Sequence, residues 1–342
     1  VRSKTKVRAA QIEEAKGSQL KLIIRGGVGV DNIDVAYAEA NGIAVKNTPR
    51  ASSNSVAELA LAHMLSCARF VSIAGHTMRE GKWEKKAYGK GIELQGKTLG
   101  IVGFGRIGQH LGVMAKAIGM TVIAFDIFHI PGIEEQLGIP YVEMDELLAK
   151  SDFISVHAPA VDGGALINAE RIAKMKDGVR VLNYARGELV NDEDMIAALE
   201  SGKVAYYCTD FPNAKTCNAK HIIATPHLGA STPESEDNCA SMAADELMAY
   251  LEQGDIRNSV NLPNAQLQAV YTKVCVIHRN VPAMISALTS VIGEAGANIE
   301  NMTNASKKDY AYTILDIDGV TDGMIEALTA IDGVLRVRVI EK

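Results

Sequence analysis

The run Gly103-Phe104-Gly105-Arg106-Ile107-Gly108 constrains this chain more tightly than any other feature. It follows an apolar strand-like segment, Leu99–Val102, and opens a helical one, Ile107–Ile118. A second apolar segment, Thr121–Phe125, ends in Asp126, about 20 residues beyond the glycines. Glycines at these places permit a tight turn, close approach of the backbone to a ligand, and close packing of helix on strand. A helix that opens there presents unpaired N–H groups and a positive dipole end, which suits a pyrophosphate. A carboxylate closing the second strand accepts hydrogen bonds from a ribose diol and repels a 2′-phosphate, and Ile127 supplies no cation to reverse that. The pattern therefore predicts a dinucleotide site, NAD in preference to NADP, on Gly103, Gly105, Gly108 and Asp126. A turn that binds nothing would require strand, turn, helix and acid to agree by chance.

Strand-like runs recur at Thr121–Phe125, Phe153–Val156, Val179–Leu182, Val204–Cys208 and Ile222–Ala224, with helical segments such as Met144–Lys150 and Asp192–Glu200 between them. Continuous apolar strands alternating with helices predict a parallel sheet covered on both faces, a doubly wound α/β fold. Ahead of it, Leu20–Ile24 and Ile43–Val45 read as two strands, with Asp34 capping a helix between them. Ser55–Arg69 and Glu234–Leu251 read as long helices. The stretch from Gly254 to Gln268, with Asn258, Pro263 and Asn264, reads as a linker. Beyond it the order strand, helix, strand, strand, helix, strand predicts a small ferredoxin-like domain over 271–342, with Asn280 capping a helix that begins at Pro282.

A chain of 342 residues exceeds what one core usually serves. The net charge of −6 and the scattered basic residues argue against a nucleic-acid surface. No apolar stretch reaches the roughly 20 residues of a membrane span. Five scattered cysteines match neither a zinc spacing nor a disulfide framework, so no metal is expected and a reducing cytoplasm is the expected location.

Ligands of open α/β sheets sit beyond the carboxyl ends of the strands. Arg186 follows the run Val179–Leu182, and His227 follows Ile222–Ala224. Oxidising a secondary alcohol needs a base for the hydroxyl proton, which suits histidine. An arginine fork suits a substrate carboxylate. A lone histidine after a strand is more often structural; its pairing with Arg186 reverses that preference.

Gly103–Gly108, Val156-His157-Ala158-Pro159, Asn183–Gly187 and Pro226–Thr232 resemble motifs of the D-isomer-specific 2-hydroxyacid dehydrogenases. Val1–Ser3, Arg25–Asn32, Asn47–Pro49, Gly81–Glu84 and His227–Thr232 are most similar to family members that act on 3-phosphoglycerate. The resemblance implies NAD-dependent oxidation of 3-phospho-D-glycerate to 3-phosphohydroxypyruvate. Arg186 and His227 would be catalytic. Arg106 and Ile107 would contact the pyrophosphate. Ala158, Asp210 and the backbone of Tyr184, Ala185 and Arg186 would line the nicotinamide half, with Val28, Gly229 and Ala230 also on the cofactor side. Arg2, Ser3 and Arg25, with the amides of Gly26 and Gly27, would hold substrate anions, and Ser52 stands where relatives often have Asn. It also implies a Rossmann domain over 49–232 and a partial flavodoxin-like substrate domain built from 1–48 and 233–260. About 45 residues of that domain, its first strand included, would precede Val1, whose segment reads as the tail of a strand.

The family usually carries a glutamate before the catalytic histidine, whereas residues 211–226 hold no acid. Asp210 is the nearest candidate, and the alternative is that His227 works alone. The 271–342 tail resembles an ACT domain. Its residues His278, Asn280 and Asn298 match positions that bind L-serine in regulated relatives, which implies serine as effector and a homo-oligomer, a dimer or tetramer. Two other readings remain open: a glycerate, glyoxylate or formate dehydrogenase, and a non-catalytic NAD-sensing regulator.

Overall fold

The structure is a computed structural model that describes all residues except 16, 160–163 and 342, and the side chain of Asn218. The chain divides into two compact units, Val1–Ala51 with Glu236–Lys342, and Ser52–Ser235.

In the first unit, β1 (Leu22–Arg25) and β2 (Ala44–Asn47) pair in parallel, Leu22 opposite Ala44 and Arg25 opposite Asn47. The helix Val35–Ala40 joins them, and the Asp34 carboxylate accepts from the Tyr37 amide as an N-cap should. The other edge of β2 is not left open. The amide of Asn261 donates to the Ile43 carbonyl at 2.9 Å and accepts from Val45 N–H at 2.8 Å, while Val260 N–H donates to the Val45 carbonyl and Asn47 N–H to the Asn258 carbonyl, so backbone and side chains of 258–261 together satisfy this edge. Ser259 Oγ donates to the Val45 carbonyl, and Lys307 Nζ donates to the carbonyls of Ser259 and Val260. The stretch expected to be a linker is thus corrected: Asp255, Ile256, Ser259, Asn261, Leu262 and Ala265 are buried. Its polar composition misleads because those polar groups satisfy a sheet edge rather than solvent.

In the second unit, β3 (Thr98–Val102), β4 (Thr121–Phe125), β5 (Phe153–Val156), β6 (Val179–Asn183), β7 (Val204–Thr209) and β8 (Ile222–Ala224) form a parallel sheet in the order β4-β3-β5-β6-β7-β8. One face packs Leu99, Ile101, Phe104 and Leu111 with Ala60 and Met64 of the helix Ser53–Arg69. The other packs Val102, Ile154, Val156 and Val181 with Leu147, Ile172 and Met195. Burial on both faces is why these strands read as unbroken apolar runs. The chain goes from β3 outward to β4 and then back across to β5, so a topological switch point lies between β3 and β5.

The remaining strands, β9 (Thr272–Arg279), β10 (Ile299–Lys307), β11 (Tyr310–Ile317) and β12 (Val334–Ile340), form an antiparallel sheet in the order β10-β11-β9-β12 within the first unit. The helices Met284–Glu294 and Asp322–Ala330 cover one face through Leu288, Ile292, Met324 and Leu328. The opposite face buries Cys275, Ile277, Tyr312 and Ile314 against Ala44, Tyr250, Ile256 and Leu262. Beside that core, Lys46 Nζ meets Glu246 Oε2 at 2.7 Å in a buried ion pair. Asn280 is not the helix cap expected from the sequence. The helix begins at Met284 after Ala283 in a left-handed conformation, and Asn280 Nδ2 instead donates to the Lys308 carbonyl.

Candidate active site

The parallel register brings the carboxyl ends of the central strands level: Val102 lies beside Val156, Val156 beside Asn183, Asn183 beside Thr209, and Thr209 beside Ala224. Each strand then releases its next residues on one rim: Gly103 after β3, His157 and Ala158 after β5, Tyr184 to Arg186 after β6, Asp210 after β7, and Thr225 to His227 after β8.

Gly103 has φ 93°, and a Cβ there would stand 2.5 Å from Ala158 N, so only glycine fits. A Cβ on Gly108 would stand 2.6 Å from the Gly103 carbonyl and 2.9 Å from Ile101, the close packing of helix on strand that the spacing predicted. A Cβ on Gly105 would meet nothing within 4 Å. The helix Arg106–Ala117 begins there without a side-chain cap. Two glycines thus close the turn against its own chain, while the third opens space in front of unpaired helix amides. That combination fits a pyrophosphate. Arg106 is exposed and Ile107 half-buried at this opening. Asp126 accepts from the amides of Phe104 at 2.7 Å and Phe128 at 3.0 Å, which fixes its carboxylate beside the turn. Ile127 and Phe128 are 90% and 70% exposed, so no cation follows the acid.

Two buried side chains shape the loops that carry Arg186 and His227. Asn183 Oδ1 accepts from Ala185 N–H, and its Nδ2 donates to the Arg186 carbonyl at 2.8 Å, closing a tight turn. Asp210 Oδ1 accepts from Thr225 Oγ1 at 2.6 Å and Leu228 N–H at 2.8 Å, while Oδ2 accepts from Gly229 N–H at 2.7 Å. The Asp210 amide donates to the Asn183 carbonyl, and the His227 amide to the Asp210 carbonyl, so the two loops share one hydrogen-bonded frame. His227 takes φ 56°, a strained conformation for a histidine, and this frame holds it there. Its exposed imidazole packs on Phe211, with ring centroids 4.7 Å apart.

Asp210 is therefore not the carboxylate partner of His227; its oxygens are spent on the loop. Among the described residues no carboxylate hydrogen-bonds the His227 ring. Tyr184 turns its side chain into the core, where its hydroxyl bonds His63 Nδ1, so only its backbone reaches the rim. Gly229 is buried, its carbonyl accepting from Ser55 Oγ, and Ala230 is half-buried. Ser52 is buried at the start of the helix Ser53–Arg69. The sequence motif Asn183–Gly187 gives Asn183 no role of its own. An Asn at a strand end two residues before an amide it can accept from is a legible turn signal. Phe211 had no such signal.

His157 sits beside Ala158 with Nε2 bonded to Ser155 Oγ and Nδ1 buried without a partner. Burial pushes its imidazole down to about 3. The unfolded chain takes up that proton near ~6.5, so it binds more protons than the native state below this pH. The His157 contribution to stability should fall with decreasing pH from ~6.5 toward the folded value, by up to about 1.4 kcal/mol per pH unit. Denaturant titrations between pH 7 and 4 should show a shallower loss for His157→Gln than for the parent. Parallel losses would contradict the buried neutral ring.

In the first unit, Arg25 Nη2 donates to Ser3 Oγ at 2.7 Å, and its Nη1 to the Gly26 carbonyl. Gly27 has φ 135°, and its amide donates to Thr48 Oγ1. Arg25, Ser3, the Gly26–Gly27 turn and the stem of Arg2 are thus brought together, and the Arg2 guanidinium pairs with Glu236 at 3.1 Å. Val28 is exposed, and its carbonyl accepts from Asn47 Nδ2.

In the antiparallel sheet the three expected effector residues do not converge. His278 is buried, with Nε2 bonded to Thr313 Oγ1 and Nδ1 to the Arg279 carbonyl. Asn280 follows the end of β9 that pairs with Tyr310. Asn298 precedes Ile299, which pairs with Ile317 at the opposite end. The strand rise over the seven steps from Tyr310 to Ile317 is roughly 23 Å, and the two asparagines lie just beyond its opposite ends.

Residues 61–229 match the family model described as D-isomer specific 2-hydroxyacid dehydrogenase, NAD binding domain. The chain is 48% identical over 248 residues to the hydroxypyruvate reductase of Thermotoga maritima, covering 69% of this chain and 78% of that protein. The chain belongs to the D-isomer-specific 2-hydroxyacid dehydrogenase family. This dehydrogenase is also 38% identical to the D-3-phosphoglycerate dehydrogenase of Synechocystis, over 92% of its own length but 57% of that relative's. A glyoxylate reductase structure from Paecilomyes thermophila superposes with a TM-score of 0.67 at 34% identity, over 75% of this chain and 79% of that one. NAD is thus the cofactor of the family, and Arg186 and His227 of this chain both lie within the matched residues, on the rim above the parallel sheet. Among the described residues no single helix is long and apolar enough to cross a membrane.

Proposed function

We propose that the protein oxidises 3-phospho-D-glycerate to 3-phosphohydroxypyruvate with NAD. The observation that carries this reading is the shared frame of Asn183 and Asp210, which holds the backbone of an arginine and a histidine on the same sheet rim as the open Gly105 turn. Gly103, Gly105, Arg106, Ile107 and Gly108 would hold the pyrophosphate, Asp126 the adenosine ribose, and Ala158, Tyr184, Ala185, Gly229 and Ala230 the remainder. Held there, NAD would supply the hydride acceptor for the substrate carbon. His227 takes the hydroxyl proton, and Arg186 holds the carboxylate and the developing carbonyl. Arg25, Ser3 and Arg2 supply donors for further substrate anions, whereas the amides of Gly26 and Gly27, expected from the sequence to do the same, are already bonded to the Val1 carbonyl and Thr48 Oγ1. In this reading 1–48 with 233–260 bind substrate, 49–232 bind NAD and 271–342 regulate, in a cytoplasmic enzyme. The similarity to relatives named D-3-phosphoglycerate dehydrogenase favours the phosphorylated substrate. The test is kcat/KM across 3-phosphoglycerate, glycerate and formate; a preference for an unphosphorylated acid would overturn the choice of substrate.

Asp126→Ala is expected to weaken NAD binding and to narrow its preference over NADP, since ribose contacts and like-charge repulsion are lost together. Binding titrations with both nucleotides measure this; an unchanged ratio would remove Asp126 from the ribose site.

Serine regulation belongs to the same reading. Because Asn280 and Asn298 lie at opposite ends of one sheet, a ligand touching both needs two copies of the chain, so effector binding implies a homo-oligomer. Asn280→Ala should abolish serine binding in calorimetry and leave uninhibited turnover intact. A parent protein that gives no heat with millimolar serine would end this proposal.

A further inference from the structure

We propose that Phe211 is the positioning residue of the His227 imidazole, doing with an aromatic face what a carboxylate would do with a hydrogen bond. The inference rests on the reading of His227 as the base. The backbone of His227 is already fixed, through its own amide and through the Asp210 contacts to Thr225, Leu228 and Gly229. That fixes the direction of the Cβ and leaves the rotation of the exposed ring unsettled. Among the described residues no side chain hydrogen-bonds either ring nitrogen of His227, and residues 211–226 contain no acid.

Phe211 meets this remaining freedom. Its ring stands 4.7 Å from the imidazole, centroid to centroid, at a tilt of 52°. The Phe211 backbone, and with it the direction of its side chain, is held on three sides. It follows Asp210 directly, its amide donates to Thr209 Oγ1 at 3.0 Å, and its Cβ and carbonyl lie against Gly187, the residue after Arg186. Phe211 therefore sits between the turn that presents Arg186 and the ring of His227, anchored to the same buried frame as both. Two aromatic rings in a tilted contact restrict each other's rotation. Phe211 thus keeps the imidazole aimed.

The experiment compares Phe211→Leu, Phe211→Tyr and His227→Asn in single-turnover NADH formation. It adds NAD affinity and the His227 Cε1–H resonance in nucleotide-free protein, identified by its loss in His227→Asn. The aromatic ring current marks that resonance in the parent. Phe211→Leu should slow the chemical step about tenfold, leave NAD affinity unchanged and move the resonance. Phe211→Tyr should restore both the rate and the shift. If Leu keeps the parent rate, if Tyr fails as badly as Leu, or if the resonance stays put in Leu, the positioning role is wrong. If His227→Asn turns over normally, the underlying reading of His227 is wrong instead, and that result is separable from the others.

Discussion

Replacing His227 by Asn is expected to lower the rate of the chemical step by about two to four decades, the usual contribution of a general acid–base group. NAD affinity should change little, because the pyrophosphate turn at Gly103–Gly108 and the Asp126 carboxylate belong to β3 and β4, whereas His227 follows β8. Folding should also survive. The imidazole is exposed, and the hydrogen bonds that hold the loop come from the His227 backbone and from Asp210. Asn is moreover among the residues that best tolerate a left-handed backbone such as φ 56°. The measurement is single-turnover NADH formation at saturating substrate, beside a melting curve. Near-normal turnover where chemistry limits the rate would remove His227 from the mechanism.

Arg186→Lys keeps the charge and should still cost about two decades in kcat/KM. An ammonium is a point charge and cannot make the planar two-bond contact with a carboxylate. The turn itself should hold, because Asn183 bonds the Ala185 amide and the Arg186 carbonyl, both backbone groups. Affinity for NAD should again stay close to the parent value. A lysine variant within a few-fold of the parent in kcat/KM would mean that Arg186 contributes charge alone and that the substrate carboxylate is held elsewhere.

Most of the sheet was readable from the residues because its strands are buried on both faces and so are apolar throughout; Thr121–Phe125, Phe153–Val156 and Ile222–Ala224 agree in both bounds. The turn at Gly103–Gly108 was readable because Gly103 and Gly108 pack against their own chain where a Cβ would clash, while Gly105 leaves space in front of the helix. The stretch before β9 was misread for a physical reason: Asn261 and Ser259 look like linker residues, yet their side chains complete the edge of β2. Asn280 looked like a cap because Pro282 follows it closely, but the helix starts only at Met284. Within the site, Arg186 and His227 could be placed by the ends of their strands. The frame beneath them could not. It depends on Asp210 meeting Leu228 and Gly229 across a loop, and on Asp210 N–H meeting Asn183 across two strands. Such contacts are set by sheet order and register, which no local pattern encodes. The contact of Phe211 with His227 is invisible to sequence for the same reason.

The most direct test of the account is the NADH fluorescence of the protein mixed with NADH and 3-phosphohydroxypyruvate. The account predicts a loss of fluorescence as NADH is consumed, one equivalent for each equivalent of 3-phosphoglycerate formed, and a loss slower by about two to four decades with His227→Asn. NADH that binds and is never consumed, with the parent protein folded, would contradict the claim of catalysis and leave a nucleotide-binding protein without dehydrogenase activity.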